Sequence, residues 1–251
     1  MLSATLWGGL AAASLLVGFY LAGRGLPKRT VGVVMGFGAG ALISAIAYEL
    51  VPESVLHGWQ MGVAFLLGAL SFYLGDQIVD RLGGSERKDL TAGQDDANRT
   101  DLTTGQVGNS GTAIYIGTLL DNIPESLILG MGFALGGAVN LAFLVAVFVS
   151  NVPEGLAGTL SLEAAGRSHR KVFWMWVILV IVSALCAGLG YLLVKWLPGV
   201  DGQYAQAFAA GAMLTMIADA MMPEAFEHGG KRVGLFTVFG FLVSAVLAVM
   251  G

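Results

Sequence analysis

Apolar residues dominate eight long stretches of the chain, and polar residues collect in the segments between them. The stretches cover residues 4–22, 31–54, 59–79, 112–137, 140–162, 172–197, 203–226 and 234–250. Each is long enough to cross about 30 Å of hydrocarbon as a helix, and the alternating polarity of β-barrel strands is missing. The pattern predicts an all-α membrane protein with eight transmembrane helices, forming a single transmembrane domain over residues 1–251.

The basic residues between these stretches predict which side each helix end faces. Twelve of the thirteen Lys and Arg residues lie in the segments after the first, third, fifth and seventh helices, and Lys195 alone lies on the other side. Basic loops stay in the cytoplasm. We therefore expect both termini outside, in a multi-pass protein of the cell membrane (the cytoplasmic membrane if the source is bacterial).

A hydrophilic segment at 82–111 separates the third and fourth helices. It is rich in Gly, Asp, Thr, Asn and Gln. Such a composition buries too little apolar surface to order itself, so the segment is predicted to be a mobile cytoplasmic loop.

Composition excludes several classes of protein. Of the 251 residues 56% are hydrophobic and 12% are charged, whereas a soluble domain carries about a quarter charged residues. The net charge of −4, without long basic stretches, gives no reason to expect a nucleic-acid partner. No His-Glu-x-x-His sequence and no histidine within a helix interior is present, which argues against an intramembrane enzyme.

Two sequence repeats relate the halves of the chain. Residues 37–53 in the second helix and 208–224 in the seventh share eight of seventeen positions at an offset of 171, including a terminal Pro-Glu. Asn-x-Pro-Glu in the fourth helix recurs in the fifth at an offset of 29. Because each pair of helices crosses in opposite directions, the pattern predicts an inverted repeat of three, one, one and three helices, as in many transporters.

The Asn-x-Pro-Glu motifs place acids and amides near the membrane midplane. Asp121 and Glu125 share one helix face, as do Ser150 and Glu154. The proline of each motif frees the carbonyl four residues earlier. Carboxylates at this depth without an intramembrane Lys or Arg favour a cation site. The alternative is a pair of proline kinks whose polar groups hydrogen-bond between helices.

These motifs, the eight helices and the long segment after the third helix resemble the ZIP family of divalent-metal transporters. The resemblance implies transport of metal into the cytoplasm, a homodimer, and joint movement of helices two, four, five and seven. The implied metal ligands are Asp121, Asn122, Glu125, Asn151 and Glu154.

This chain departs from the family pattern in ways that bear on the metal. Asp121 replaces the usual histidine of helix four, Asn151 stands where Asp or His is common in helix five, and helix six carries no acid for a second metal position. Zn²⁺ is the metal that the family implies. An all-oxygen site suits harder ions such as Mn²⁺, Mg²⁺ or Ca²⁺ better than Zn²⁺, but carboxylates bind zinc as well. We therefore expect a broader or harder preference than zinc alone, with Mn²⁺, Fe²⁺ and Cd²⁺ as further candidate substrates.

Further polar residues are candidates for lining the pathway, although each could equally be a hydrogen-bonding or solvated helix residue. They are Ser150, Asp219, Glu49, Glu53, Glu224 and His228. Two other functions stay open: a proton-titrated or proton-coupled exchanger, since clustered carboxylates also hold protons, and a non-transporting metal-binding membrane protein on the same fold.

Overall fold

The computed structural model describes residues 1–51, 59–79, 81, 104–136, 141–196 and 202–250, and within these ranges the chain is helical without strands. We number the helices in chain order. They are α1 (Leu2–Ala12 and Ser14–Ala22), α2 (Lys28–Ala45 with the π-helical turn Ile46–Leu50), α3 (Trp59–Val79), α4 (Thr104–Gly136), α5 (Leu141–Ala164), α6 (His169–Trp196), α7 (Gly202–Met216, the π-helical turn Ile217–Met221 and Met222–Gly229) and α8 (Arg232–Met250).

Seven of these helices are long and apolar enough to cross a membrane, within the part of the chain that the structure describes. The exception is α4, whose Asp121, Asn122 and Glu125 lower its mean hydropathy. The prediction of an all-α, multi-pass membrane protein is confirmed in this form.

The start of α4 differs from the prediction. It begins at Thr104, eight residues before the predicted 112, so the last part of the expected loop is helical backbone. Hydropathy does not detect this first part of α4 because residues 104–111 are mostly polar, and a polar helix end gives no apolar signal. The remainder of the expected loop, 82–103, lies outside the described residues.

The helices divide into central and peripheral ones. In α5 and α2 about 72% and 67% of the membrane-spanning window is buried inside the protein, whereas in α3 and α8 the buried share is 17%. The exposed positions of the peripheral helices are large and apolar, such as Leu66 and Leu235, as expected of a surface in contact with lipid. The buried core is therefore built around α2 and α5.

Packing groups the helices in two sets of four. The main partner of α2 is α8 and that of α7 is α3, while α4 packs chiefly on α6, and α5 on α1. The two sets meet most closely where α2 crosses α5. The four helices that the family resemblance implies to move together also contact one another: α2 packs on α5 and α7, and α4 packs on α5 and α7.

The α2–α8 contact and the α7–α3 contact are similar because both are formed by glycines. In each contact a glycine of each helix lies so close to a carbonyl oxygen of the other that a Cβ atom would overlap it. The glycine–carbonyl pairs are Gly40 with Thr237 and Gly240 with Phe37 for α2 and α8, and Gly211 with Phe65 and Gly68 with Phe208 for α7 and α3. Small residues permit such close helix packing in membranes.

The two π-helical turns also occupy matching positions. Ile46–Leu50 and Ile217–Met221 are separated by the 171-residue offset of the sequence repeat, and each is followed in the sequence by x-Pro-Glu. In both turns, the first amide after the turn donates a hydrogen bond to the carbonyl five residues earlier. Val51 N donates to the Ile46 carbonyl at 3.0 Å, and Met222 N donates to the Ile217 carbonyl. Single π-helical turns are frequent at functional sites.

Candidate metal site on α4 and α5

The five predicted metal ligands all lie in the protein interior. Asp121, Asn122 and Glu125 are at most 2% exposed, and Asn151 and Glu154 at most 4% exposed. They belong to α4 and α5, which pack against each other. Oxygen-rich side chains therefore occupy the buried faces of two neighbouring helices, and the lipid-facing surface contains none of the five.

The helix backbone around the motifs is interrupted by proline. Pro124 lies inside α4 and Pro153 inside α5. Proline has no N–H, so the carbonyls of Leu120 and Val149 lose their helical donor. Carbonyl oxygens of this kind are suitable ligands for hard cations.

The two motif asparagines have different hydrogen bonds. Asn122 Nδ2 donates to the Thr118 carbonyl of its own helix at 3.0 Å. Both polar side-chain atoms of Asn151 are buried and have no hydrogen-bond partner among the described residues. Leaving a buried polar group unsatisfied costs about 1–3 kcal/mol. The Asn151 amide is thus a buried motif group whose donors and acceptor are not used by the described residues.

The acids do not form a ready-made cluster. Across the described ranges, no group of three or more His, Cys, Asp and Glu side chains lies close enough to hold a metal ion. A cation between α4 and α5 would therefore need amide or carbonyl oxygens in addition to the carboxylates. Asn122, Asn151 and the proline-freed carbonyls are the neighbouring groups that have this chemistry.

Residues proposed to line a pathway lie in different environments. Glu49 is partly exposed and lines a small cavity with Gln206 and apolar residues of α2, α4 and α5. Asp219 is exposed, so it is not brought to the buried faces of α4 and α5. Ser150 is fully buried, and its hydroxyl donates to the Val147 carbonyl at 3.0 Å. Glu53 lies outside the described residues.

Gly38 brings α2 directly against the α5 motif. A Cβ atom at Gly38 would lie 2.8 Å from Ser150 Cα, so a larger residue would push the helices apart. The repeat partner of Gly38 on α7 is Ala209. The residue just before Asn151 is therefore held by a close backbone contact from the other set of helices.

Trp176 of α6 is a residue that sequence reasoning missed. It is fully buried, and its Nε1 donates to Thr159 Oγ1 at 2.9 Å. Thr159 in turn donates to the Gly155 carbonyl, which follows Glu154. A Cβ atom at Gly158 would lie 2.9 Å from Trp176 Cη2. The indole thus supports the turn of α5 that carries the motif.

The sequence held a signal for this tryptophan. Trp174 and Trp176 are two residues apart in one helix, so they point about 200° apart. The two side chains therefore lie on nearly opposite sides of the helix. In the structure Trp174 is exposed and Trp176 is buried.

Known zinc transporters are similar to this chain. No protein-family model matches the chain. Zinc transporter ZIP11 of Xenopus tropicalis is 28% identical, over 97% of this chain and 94% of its own length. Zinc transporter GufA of Myxococcus xanthus is 31% identical over 57% of each chain. Over nearly its whole length, the chain is similar to zinc transporters of the ZIP family.

A plant relative matches this chain over a smaller share of its own length. A putative zinc transporter of Arabidopsis thaliana is 28% identical over 81% of this chain, and the match spans 31% of the plant protein. The match to the frog protein covers nearly all of both chains. The ZIP resemblance therefore extends well beyond the two Asn-x-Pro-Glu motifs.

Proposed function

We propose that this protein carries divalent metal cations across the membrane into the cytoplasm, through a site between α4 and α5. The observation that carries the proposal is the burial of five oxygen-bearing motif residues on two adjacent helices of a multi-pass membrane protein. The names of its relatives, which are zinc transporters, support a metal as the substrate. The proposed ligands are Asp121, Asn122, Glu125, Asn151 and Glu154.

Charge explains why a cation would bind there. Carboxylates inside a membrane are costly unless they are paired or neutralised. A divalent ion supplies two positive charges, and the amide oxygens and freed carbonyls complete its shell without adding charge. We propose that Glu125 and Glu154 each contribute a carboxylate from one helix.

The ligand chemistry suggests a broad substrate range. Zn²⁺ is the metal named for the relatives. Oxygen ligands also suit Mn²⁺, and first-row ions compete for such sites according to geometry as well as affinity. We therefore propose Zn²⁺ as the main substrate, with Mn²⁺, Fe²⁺ and Cd²⁺ competing for uptake.

The movement that exposes the site follows the packing of the helices. We propose that the set α1, α4, α5 and α6 shifts against the set α2, α3, α7 and α8, within an eight-helix inverted repeat whose termini face outside. The matched glycine contacts and π-helical turns support this symmetry. A homodimer is proposed from the family resemblance. The membrane potential can drive uptake, since a divalent ion gains about 4.6 kcal/mol per 100 mV on moving inward.

Uptake into proteoliposomes tests the proposal. With an inside-negative potential, the wild-type protein should take up Zn²⁺, and Glu125→Ala or Glu154→Ala should abolish uptake while the protein stays monodisperse. Glu163→Ala, which alters a partly exposed acid at the end of α5 that pairs with His169, serves as the matched control and should transport normally. Full activity in both motif variants contradicts the site assignment.

The same vesicles distinguish the other two functions. A proton exchanger would alter internal pH without taking up metal, and a metal-binding protein that does not transport would bind Zn²⁺ in detergent but give no uptake. Metal uptake that saturates and is competed by Mn²⁺ is the outcome expected here.

A further inference from the structure

A cavity of about 420 Å³ lies between α2, α3 and α7. All the described residues that line it are apolar: some belong to α2 and its C-cap, others to the first turns of α3, and the remainder to α7. Ligand pockets in proteins have volumes of about 300–1,000 Å³. An apolar cavity of only about 150 Å³ stays dry and binds benzene. The larger cavity described here therefore suits an apolar ligand rather than water.

The cavity is continuous with the lipid-facing surface of α3. Leu66 is one of the lining residues and is 67% exposed. Leu67 and Leu70, which follow it on the same helix, are 52% and 51% exposed. In a membrane protein such a surface is in contact with lipid tails. Acyl chains are therefore the apolar molecules that surround the entrance to the cavity.

Two glycines of α3 show how the cavity forms. At Gly68 a Cβ atom would overlap the Phe208 carbonyl of α7, whereas at Gly62 a Cβ atom would meet no other part of the described protein within 4 Å. The helices α3 and α7 thus pack tightly at Gly68 and leave open space at Gly62. The cavity is confined to the end of this helix contact, next to the first turns of α3.

The π-helical turn of α2 forms another wall of the cavity. Ile46 and Val51, whose carbonyl and amide form the hydrogen bond of this turn, are both lining residues. The same turn carries Glu49, which lines the small cavity beside α4 and α5. A ligand in the large cavity therefore packs on a turn that also reaches the helices of the candidate metal site.

Polar and aromatic groups lie beside one end of the cavity. Tyr204 Oη donates to Gln60 Oε1 at 2.9 Å and thereby joins α7 to α3. Gln60 directly precedes the lining residue Met61, and Trp59 is 79% exposed. Tyr and Trp are frequent at the membrane–water interface, where lipid headgroups lie. The described lining has no basic side chain that would bind the carboxylate of a free fatty acid.

We propose that this cavity binds one acyl chain of a membrane phospholipid. The chain enters beside Leu66 and packs on the π-helical turn of α2, and the headgroup lies on the side of Gln60 and Tyr204. Bulk lipid tails are as apolar as the lining. Binding is favourable because the chain fills a void whose lining atoms otherwise lack van der Waals contacts. The site is separate from the α4–α5 site and does not depend on transport.

Photolabelling of the full-length protein in vesicles tests the proposal. The probe is a phosphatidylcholine with a diazirine in one acyl chain, and mass spectrometry locates the labelled residues. We expect labelling of Ile46, which is only 4% exposed, as well as of Leu70 on the outer surface. Gly62→Phe and Ala47→Phe each place a ring in the cavity from a different helix. Each should lower the labelling of Ile46, and the double variant should abolish it, while labelling of Leu70 is unchanged.

Two matched controls separate filling of the cavity from other effects. Gly62→Ala removes the same helical glycine but leaves most of the cavity open. Val63→Phe adds the same ring at the neighbouring position, which is 42% exposed and outside the lining. Both controls should be labelled at Ile46 as strongly as the wild-type protein.

A diazirine-bearing fatty acid in the same vesicles distinguishes the source of the chain. It should label Ile46 less than the phospholipid does, and equal or stronger labelling overturns the assignment to phospholipid. Labelling of Leu70 without Ile46 in the wild-type protein means that the chain itself or a second copy covers the cavity, and it overturns the proposal. Labelling of Ile46 that persists in the double variant also overturns it. No metal is used in these measurements, so their outcome is independent of the proposed transport function.

Discussion

The asparagines of the α4 and α5 motifs occupy unlike surroundings despite their matching sequences. Asn122 uses its amide nitrogen within its own helix, on the Thr118 carbonyl. Asn151 has no hydrogen-bond partner within the described part of the chain. The α5 motif is instead held from outside, by Gly38 of α2 beside Ser150 and by Trp176 of α6 through Thr159. The comparison teaches that the α4 motif is organised within its own helix, whereas the α5 motif is held by neighbouring helices.

Removing the indole of Trp176 should have the largest effect on stability, because the indole supports the α5 motif from α6. Trp176→Ala empties a fully buried site and should lower the free energy of unfolding by about 3–5 kcal/mol. Trp176→Phe keeps most of the volume but leaves Thr159 without its donor, and should cost about 1 kcal/mol. Thermal unfolding in detergent measures both. Trp174→Phe, at an exposed position, is the control and should change little; equal effects at the two tryptophans would contradict the support of α5 by α6.

Widening the contact between α2 and α5 should have the next largest effect. Gly38→Val places side-chain atoms against Ser150, and overpacking of this kind costs about 1–3 kcal/mol. We expect slower Zn²⁺ uptake because the helix carrying Asn151 and Glu154 is displaced. The repeat partner offers the reciprocal change, Ala209→Gly, which removes a single methyl group. Uptake by Gly38→Val at the wild-type rate would show that the α2–α5 contact does not position the motif.

The asparagines themselves give the most direct comparison. Asn151→Ala should weaken metal binding at least tenfold, about 1.4 kcal/mol, while stability without metal is unchanged or increased because a buried amide is removed. Calorimetric titration with Zn²⁺ and Mn²⁺ measures the affinity, and unfolding in a chelator measures stability.

The smallest effect is expected at Asn122. Asn122→Ala loses the hydrogen bond to Thr118, so stability without metal should fall by about 1 kcal/mol. Its loss of metal affinity should be smaller than that of Asn151→Ala in the same titration. If the two variants behave alike in both measurements, the motifs are equivalent and the distinction between them fails.

Much of the fold could be predicted because a membrane imposes simple demands. Long apolar stretches located the helices, and scarce acids in those stretches located the residues that are buried on α4 and α5. The first turns of α4 could not be predicted from hydropathy because they are polar, and hydropathy detects only the apolar part of that helix. The two sets of four helices were also missed, since glycine is frequent throughout the apolar stretches and hydropathy does not indicate which glycine meets which carbonyl. The spacing of Trp174 and Trp176 indicates opposite sides of α6, and the structure identifies Trp176 as the buried one.

Two histidines extend the sequence repeat beyond the apolar stretches. The sequence repeat extends past Glu53 and Glu224 by one helical turn, to His57 and His228. A comparison that stops at the membrane boundary overlooks such a match at helix ends. Side-chain burial then separates His228 from His169, a distinction that sequence alone does not make.

The π-helical turn of α7 sets the orientation of everything that follows it. Ile217–Met221 contains one residue more than regular α-helical winding requires. Each residue turns an α-helix by about 100°. Without the additional residue, the segment carrying Glu224 and His228 would be rotated by that angle relative to the first part of α7, and the two side chains would leave their present buried face. A single inserted residue thus decides whether the last part of α7 directs its polar groups to the protein interior or away from it.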